Sequence, residues 1–341
     1  MKTRFKKMLS LALTLVLAVS LFPVAVFGAT VVDSGACGPH LTWKLDSAGT
    51  LTVSGIGQME APSAWTVAYR KDIKEVILET GVTSVAANAF YDCPNLEKVS
   101  FPSSLEQIGR YAFYRCVSLK EAIIPNNVSF IGDYTFLGCT ALSKLKLPVA
   151  LSSISDFTFD DCVSLTELDI PAGVTSIGSA AFAECRGLRS VAFPEGLQIL
   201  KIDAFSTCVN LRQVRIPRAL NDIKMYAFRE CRNLTDVYYT GTEAEWKNAL
   251  IDPSNTYLLN ANIHYDWSGP LPELPLPGDA DGDGKVTSSD ARLALRAAVG
   301  LEKCEKDTPA FLAADADGDG AITSADARLI LRAAVGLEKL V

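Results

Sequence analysis

Two stretches of this chain bring enough oxygen ligands close enough together to hold a metal ion. Asp279 to Asp290 reads DADGDGKVTSSD, and Asp315 to Asp326 reads DADGDGAITSAD. Each places carboxylates at positions 1, 3, 5 and 12 of the loop, with glycine at position 6 where the backbone must turn sharply. A hard cation such as calcium takes about six to eight oxygens. Asp279, Asp281, Asp283 and Asp290 supply most of them, and the Lys285 carbonyl and the Thr287 side chain, directly or through water, complete the set. In the second loop Asp315, Asp317, Asp319, Asp326, the Ala321 carbonyl and Thr323 do the same. A pair of acidic surface turns is the plainer alternative. Two complete copies with glycine in register favour calcium, one ion in each loop.

The loops must be held by their flanks. ARLALRAAVGL follows the first and ARLILRAAVGL the second, each with a helical spacing of apolar residues. Two features depart from a standard EF-hand: aspartate stands at position 12 where that motif has glutamate, and prolines, not a helix, precede the first loop. From Asp279 to Lys303 only four of 25 positions differ from the copy at 315–339. This unit of loop then helix, written twice over 279–341, closely resembles a type I dockerin, a small all-α calcium-binding module that docks onto cohesin domains of scaffold proteins. The resemblance implies partner contacts at Ser288, Ser289, Leu295, Arg296 and Gly300, and at Ser324, Ala325, Leu331, Arg332 and Gly336. Hydroxyls there can bond a partner, and arginine offers a rigid fork to its carboxylates. The near-identity of the copies implies internal two-fold symmetry and binding in either orientation. Calcium is expected to fold the module, because four close carboxylates repel one another without a cation.

Ahead of the loops the chain is a repeat. Pro102, Pro125, Pro148, Pro171, Pro194 and Pro217 are spaced by 23 residues, and Phe90 to Phe228, Cys93 to Cys231 and Leu96 to Leu234 recur in the same register. In the unit from Ala172 to Pro194, Leu188, Val191 and Phe193 form the inward side of a short strand that Pro194 ends. Val174 and Ile177 begin a return stroke, and Ala181, Phe182 and Cys185 have the spacing of a helical turn. One such coil cannot bury these residues, whereas stacked coils cover one another. The spacing F-x-x-C-x-x-L-x-x-V-x-I-P with V-T-S-I-G-x-x-A-F resembles the BspA-like leucine-rich repeats of bacterial surface and secreted proteins. The implied fold is a leucine-rich-repeat solenoid over 73–239, a short parallel strand ladder with helical turns, opening on a worn copy at Ile73, Val76 and Leu78.

Both ends read as caps. Over 30–72 the segment HLTWKLDSAGTLTVSG alternates about Ser47-Ala48-Gly49 as a hairpin does, and over 240–267 Thr242 and Glu245 form a capping box for a helix bearing Trp246. Residues 268–278, SGPLPELPLPG, carry four prolines and predict an extended spacer that holds two folded units apart. Residues 1–29 open with Lys2, Arg4, Lys6 and Lys7 and continue into an apolar run, the order of a cleaved secretory signal. Its removal takes the formal charge from −7 to −11, and no later segment reads as a membrane span. An acidic secreted chain is a poor candidate for nucleic acid.

The in-register cysteines have no Cys-x-x-Cys and only His40 and His264 for company, so they read as small buried hydrophobes. The outward row Lys98, Glu121, Lys144 and Glu167 alternates charge from coil to coil, and the next row shows no aromatic platform. The expected function is therefore a non-catalytic secreted interaction protein, carried to a cohesin-bearing scaffold in a polysaccharide-degrading setting, with a protein or glycan ligand for the solenoid. A dockerin-borne polysaccharide hydrolase or a host-cell adhesin is the alternative. A glycosidase needs paired carboxylates across a cleft, and a short regular solenoid offers no obvious one.

Overall fold

A computed structural model describes residues 29–60, 65–306, 308–338 and 340, and the expected signal segment lies outside the described residues. The 23-residue period closes one coil of a β-solenoid. Each first strand pairs in parallel with its counterpart one period away: Glu75 with Lys98, Lys144 with Glu121, and Gln213 with both Ser190 and Asp236. The return stroke also pairs, giving a second parallel ladder in which Ser176 lies between Ser153 and Ile199, and Ile199 meets Asp222.

The third side of the coil is a run of turns where the sequence predicts helical turn. Two residues per coil have a left-handed backbone, such as Ala180 (φ 49°) and Glu184 (φ 56°), and a continuous helix cannot pass through them. Alternate amides there point along the solenoid: Ala180, Phe182 and Glu184 N–H donate to Ile202, Ala204 and Ser206 carbonyls of the next coil, each at 2.9 Å. The amides between them close local turns, as Ala181 to Gly178 does. Every coil thus spends its backbone donors on its neighbour or on itself, which a buried backbone must do.

Inside run three ladders of side chains. Phe90, Phe113, Phe136, Phe159, Phe182, Phe205 and Phe228 are all fully buried and stack ring on ring. Beside them lie the cysteines and leucines of the same register. The cysteines are reduced and do more than fill space: Cys116, Cys139, Cys162, Cys185, Cys208 and Cys231 each donate an S–H to the carbonyl of the phenylalanine 26 residues earlier, at 3.1–3.4 Å. Burial pushes the Cys93 and Cys231 thiols up to about 12, so both stay protonated and Cys231 keeps the proton it donates.

The caps continue the core. Leu41–Asp46 and Thr50–Gly55 form the expected hairpin, and the second of these strands joins the first ladder through Glu75–Leu78. Trp65, fully buried, stacks on Phe90 at 6.2 Å and takes the place of the missing phenylalanine. At the far end the Thr242–Glu245 capping box starts helix Glu243–Asn248, whose Trp246 packs on Tyr239 at 5.0 Å. Asn255, also fully buried, substitutes for an absent coil. Its Oδ1 accepts the Phe228 N–H at 3.0 Å, and its Nδ2 donates to the Lys224 and Asp252 carbonyls. Asn255→Leu leaves the buried Phe228 N–H without a partner and the Lys224 and Asp252 carbonyls with only their backbone bonds, and is expected to cost roughly 1–3 kcal/mol in urea denaturation of the solenoid. A loss below a few tenths of a kcal/mol would show that water can replace the amide.

The proline segment corrects one expectation. It does not hold the two units apart: Gln213 Nε2 donates to the Pro272 carbonyl at 2.6 Å and Arg189 Nη1 to the Pro275 carbonyl at 2.9 Å. An extended proline run presents carbonyls that no neighbouring N–H of its own can take, and the solenoid supplies the donors. Beyond it, helices Ser288–Ala298 and Ser324–Ala334 pack against each other and against Pro309–Ala314. Among the described residues no helix is long and apolar enough to cross a membrane.

Candidate metal loops and partner surface

Each acidic loop turns at glycine and ends by starting a helix. Gly284 and Gly320 have φ of +84° and +85°, and nothing lies within 4 Å of a Cβ added there, so backbone conformation and not space demands glycine. Thr287 and Thr323 are the N-caps of the two long helices, with Asp290 and Asp326 completing capping boxes as their third residues. The terminal aspartates are fully buried. Asp290 accepts from Asp281 N–H and from the Thr287 N–H and hydroxyl, and Asp326 from Ala316, Asp317 and Thr323. Position 12 therefore ties loop to helix before any ion is considered.

The carboxylates converge. Oxygens of Asp279, Asp281 and Asp283 lie within 4.8 Å of one another, as do those of Asp315, Asp317 and Asp326. Asp290 and Asp319 fall outside these two triads. The Thr287 and Thr323 hydroxyls, expected as ligands directly or through water, also cap the helices, at 2.9 and 3.0 Å from the terminal carboxylates. Lys285 and Ala321 N–H bond Asp283 and Asp319, which places position 7 of each loop beside its aspartates. Two features fit a cation. Burial and then the neighbouring Asp326 push the Asp317 carboxyl above the usual carboxylate range, and one oxygen of Asp315 is buried with no hydrogen-bond partner. Both are what a cluster of oxygen ligands shows when its charge is uncompensated.

Four of the expected partner residues, Ser288, Leu295, Ser324 and Leu331, line one open surface. Leu295 and Leu331 are 46% and 47% exposed and lie over a shallow apolar depression with Ala291, Ala327, Ser288 and Ser324 on its walls. Ser289 is exposed and Ala325 half-buried at the same helix ends. Arg296 and Arg332 pair with Glu302 at 3.2 Å and Glu338 at 2.6 Å, so each guanidinium is already aimed by its own helix terminus. Gly300 and Gly336, at φ +71° and +73°, end the helices.

On the solenoid the outward charges pair along the ladder, Lys98 with Glu75 at 3.0 Å and Lys144 with Glu121 at 3.6 Å. An aromatic row that the strand positions do not show lies instead on the turn side. Tyr111, Tyr134 and Phe157 stack at 4.7 Å, with the Arg110 guanidinium 5.1 and 5.3 Å from the two tyrosine rings. These bulky residues have a left-handed backbone, φ 57–60°. Mutual stacking offsets the strain but covers the ring faces that a sugar would need. Their spacing of 23 was the signal available in the sequence. His264 meets Asp236 at 2.8 Å, while the nearby Thr235 hydroxyl bonds that carboxylate and not the imidazole. A nucleophile would have to sit on the imidazole.

Comparison with known proteins agrees with both halves. The BspA type leucine rich repeat region matches in six copies over residues 67–171 and 152–250, more than half of the chain. The type I dockerin domain matches residues 277–333. No curated protein matches the chain. Among solved structures, a T. pallidum leucine-rich repeat protein is 23% identical with a TM-score of 0.47, covering 69% of this chain and 100% of that one. A leucine-rich repeat protein from Bacteroides ovatus is 20% identical with a TM-score of 0.35, covering 59% and 70%. Type I dockerin domains bind calcium, and the acidic triads fit that. The chain belongs to the BspA-type leucine-rich repeat proteins and carries a type I dockerin domain after its repeats.

Proposed function

We propose that this is a secreted, non-catalytic interaction protein. The dockerin, with one calcium ion in each acidic loop, attaches it to a cohesin-bearing scaffold, and the solenoid presents a surface to a protein or glycan in a polysaccharide-degrading setting. The twelve loop residues from Asp279 to Asp326 named above hold the ions. Ser288, Ser289, Leu295 and Arg296, with Ser324, Ala325, Leu331 and Arg332, meet the cohesin. The observation that carries this reading is the pair of half-exposed leucines, held by helices whose first turns are organised by the acidic loops. Apolar residues left in solvent on rigid elements mark a surface made for a partner. The basic and then apolar order of 1–29 supports export.

The test is binding of the mature chain to immobilised cohesin modules in calcium. Leu295→Asp with Leu331→Asp is expected to weaken binding at least 100-fold, because charge replaces both half-exposed apolar anchors at once. Equal retention of the wild type and the double variant would sink the assignment of this face.

A further inference from the structure

The two acidic loops are nearly the same in sequence but not in surroundings. Asp279 has both oxygens bonded within its own loop, Oδ1 by Asp283 N–H at 3.0 Å and Oδ2 by Gly284 N–H at 2.8 Å. Asp315, its counterpart, is 3% exposed and meets the solenoid. Its Oδ2 accepts from Gly320 N–H at 3.1 Å and from Arg212 at 3.4 Å, with Arg212 only 7% exposed, while its Oδ1 is the buried oxygen without a partner. Three residues further round the loop, the Gly318 carbonyl accepts from Asn233 Nδ2, and a Cβ on Gly318 would collide with Asn210 Oδ1.

The solenoid side of this contact is particular to its last coils. The row that contains Arg212 reads Glu97, Lys120, Ser143, Thr166, Arg189, Arg212 and Thr235 at intervals of 23. The first four are exposed, whereas Arg189 is half-buried and Arg212 buried. Two adjacent arginines occur only where the acidic loop and the proline carbonyls arrive. The neighbouring row changes in the same place: Lys98, Lys144 and Glu167 are exposed and Gln213 is buried under Pro272.

We propose that Arg189, Arg212, Gln213 and Asn233 form a docking site for the chain's own proline segment and second acidic loop, and that Arg212 is a positioning residue for Asp315. The second half rests on the calcium reading above; the first does not. Arg212 holds one oxygen of Asp315 from behind and leaves the other for the ion, the usual arrangement in which a ligating carboxylate is fixed by an outer partner. Four aspartates keep the loop net anionic with the guanidinium alongside. The seat leaves Leu295 and Leu331 open, so the docked module can still receive a partner. It also makes the two orientations of that partner unequal, because only the second loop abuts the solenoid.

Small-angle scattering of the mature chain in calcium tests the docking. The wild type is expected to scatter as one compact body. Arg212→Ala with Asn233→Ala releases the module onto a spacer that reaches about 3 Å per residue, raising the maximum dimension by roughly 20–30 Å. Arg189→Glu is the second variant, should the first pair disturb the coil. An extended wild type, or equal dimensions in the wild type and both variants, overturns the docking. Calcium titration followed at the Gly284 and Gly320 amides separates the two sites in the same samples. Arg212→Ala is expected to weaken filling at Gly320 about tenfold and to leave Gly284 unchanged. Unchanged or tighter filling at Gly320 overturns the positioning role. Calcium bound at neither amide overturns the metal reading, and the scattering result then stands alone.

Discussion

Phe159→Ala is expected to destabilise the solenoid by about 3–5 kcal/mol, the cost of a fully buried phenylalanine whose cavity cannot collapse. The site is mid-stack, with Phe136 at 5.4 Å and Phe182 at 5.3 Å on its two faces and no exposure to solvent. Collapse is prevented from both sides. The rings above and below are fixed by coils whose amides bond along the axis at 2.8 Å, Phe159 N–H to Ala181 and Phe136 N–H to Thr158. Moving either ring inward would stretch those bonds. Because each coil touches only its neighbours, the damage also falls on coupling between the two halves of the solenoid. Urea denaturation should therefore show a lower midpoint and a broader transition, with a smaller m-value as cooperativity is lost. A loss under 1 kcal/mol would mean that the stack is ornament and that the leucine and cysteine ladders hold the fold.

That stack was legible because seven coils repeat one solution, and repetition makes each anchor residue its own control. The same holds for the loops, where glycine and four aspartates recur in register. The Thr242–Glu245 box and the hairpin were legible because local bonds produce local spacing. What escaped has no period or depends on distance. Asn255 replaces a carbonyl that a further coil would have supplied, and a single amide after Asp252-Pro253-Ser254 looks like any turn residue. The cysteine S–H bonds reach back 26 residues, not 23, so composition suggested a small apolar side chain and missed the donor. The helical spacing of Ala181, Phe182 and Cys185 was real, but left-handed residues at 180 and 184 convert it to turns. The proline run was read by its stiffness alone, without the side chains that take its carbonyls. Arg189 and Arg212, one period apart, were the only trace of that contact in the sequence.

Removing calcium is expected to unfold the dockerin, abolish its binding to cohesin and leave the solenoid folded. The reason lies in what the module has for a core. Its buried cluster is six alanines, Ala280, Ala291, Ala294, Ala314, Ala316 and Ala327, with Ile330; Val286, Leu293, Ile322, Leu329 and Leu340 pack on it only partly buried, and Phe311 is the one other large buried side chain among the described residues of the module. At about 25 cal/mol per Å² such small side chains contribute little against the ordering of some sixty residues. Bound metal supplies the remainder. At a concentration 1,000 times its dissociation constant each ion stabilises the folded state by about 4 kcal/mol, so two ions approach the whole stability of an ordinary small domain. Without them the converging aspartates repel, the hydrogen bonds of the terminal aspartate are left to hold loop and helix alone against that repulsion, and the helices that carry Leu295 and Leu331 are expected to lose their first turns. Both acidic triads found among the described residues lie beyond residue 278, and the solenoid is expected to keep its fold in chelator. Amide exchange of the mature chain in chelator should show rapid exchange through 288–334 while the Phe-stack coils stay protected, and cohesin capture should fall to background. Retained protection of the two long helices in chelator would show that the alanine core suffices and that the ions serve the partner surface instead of the fold.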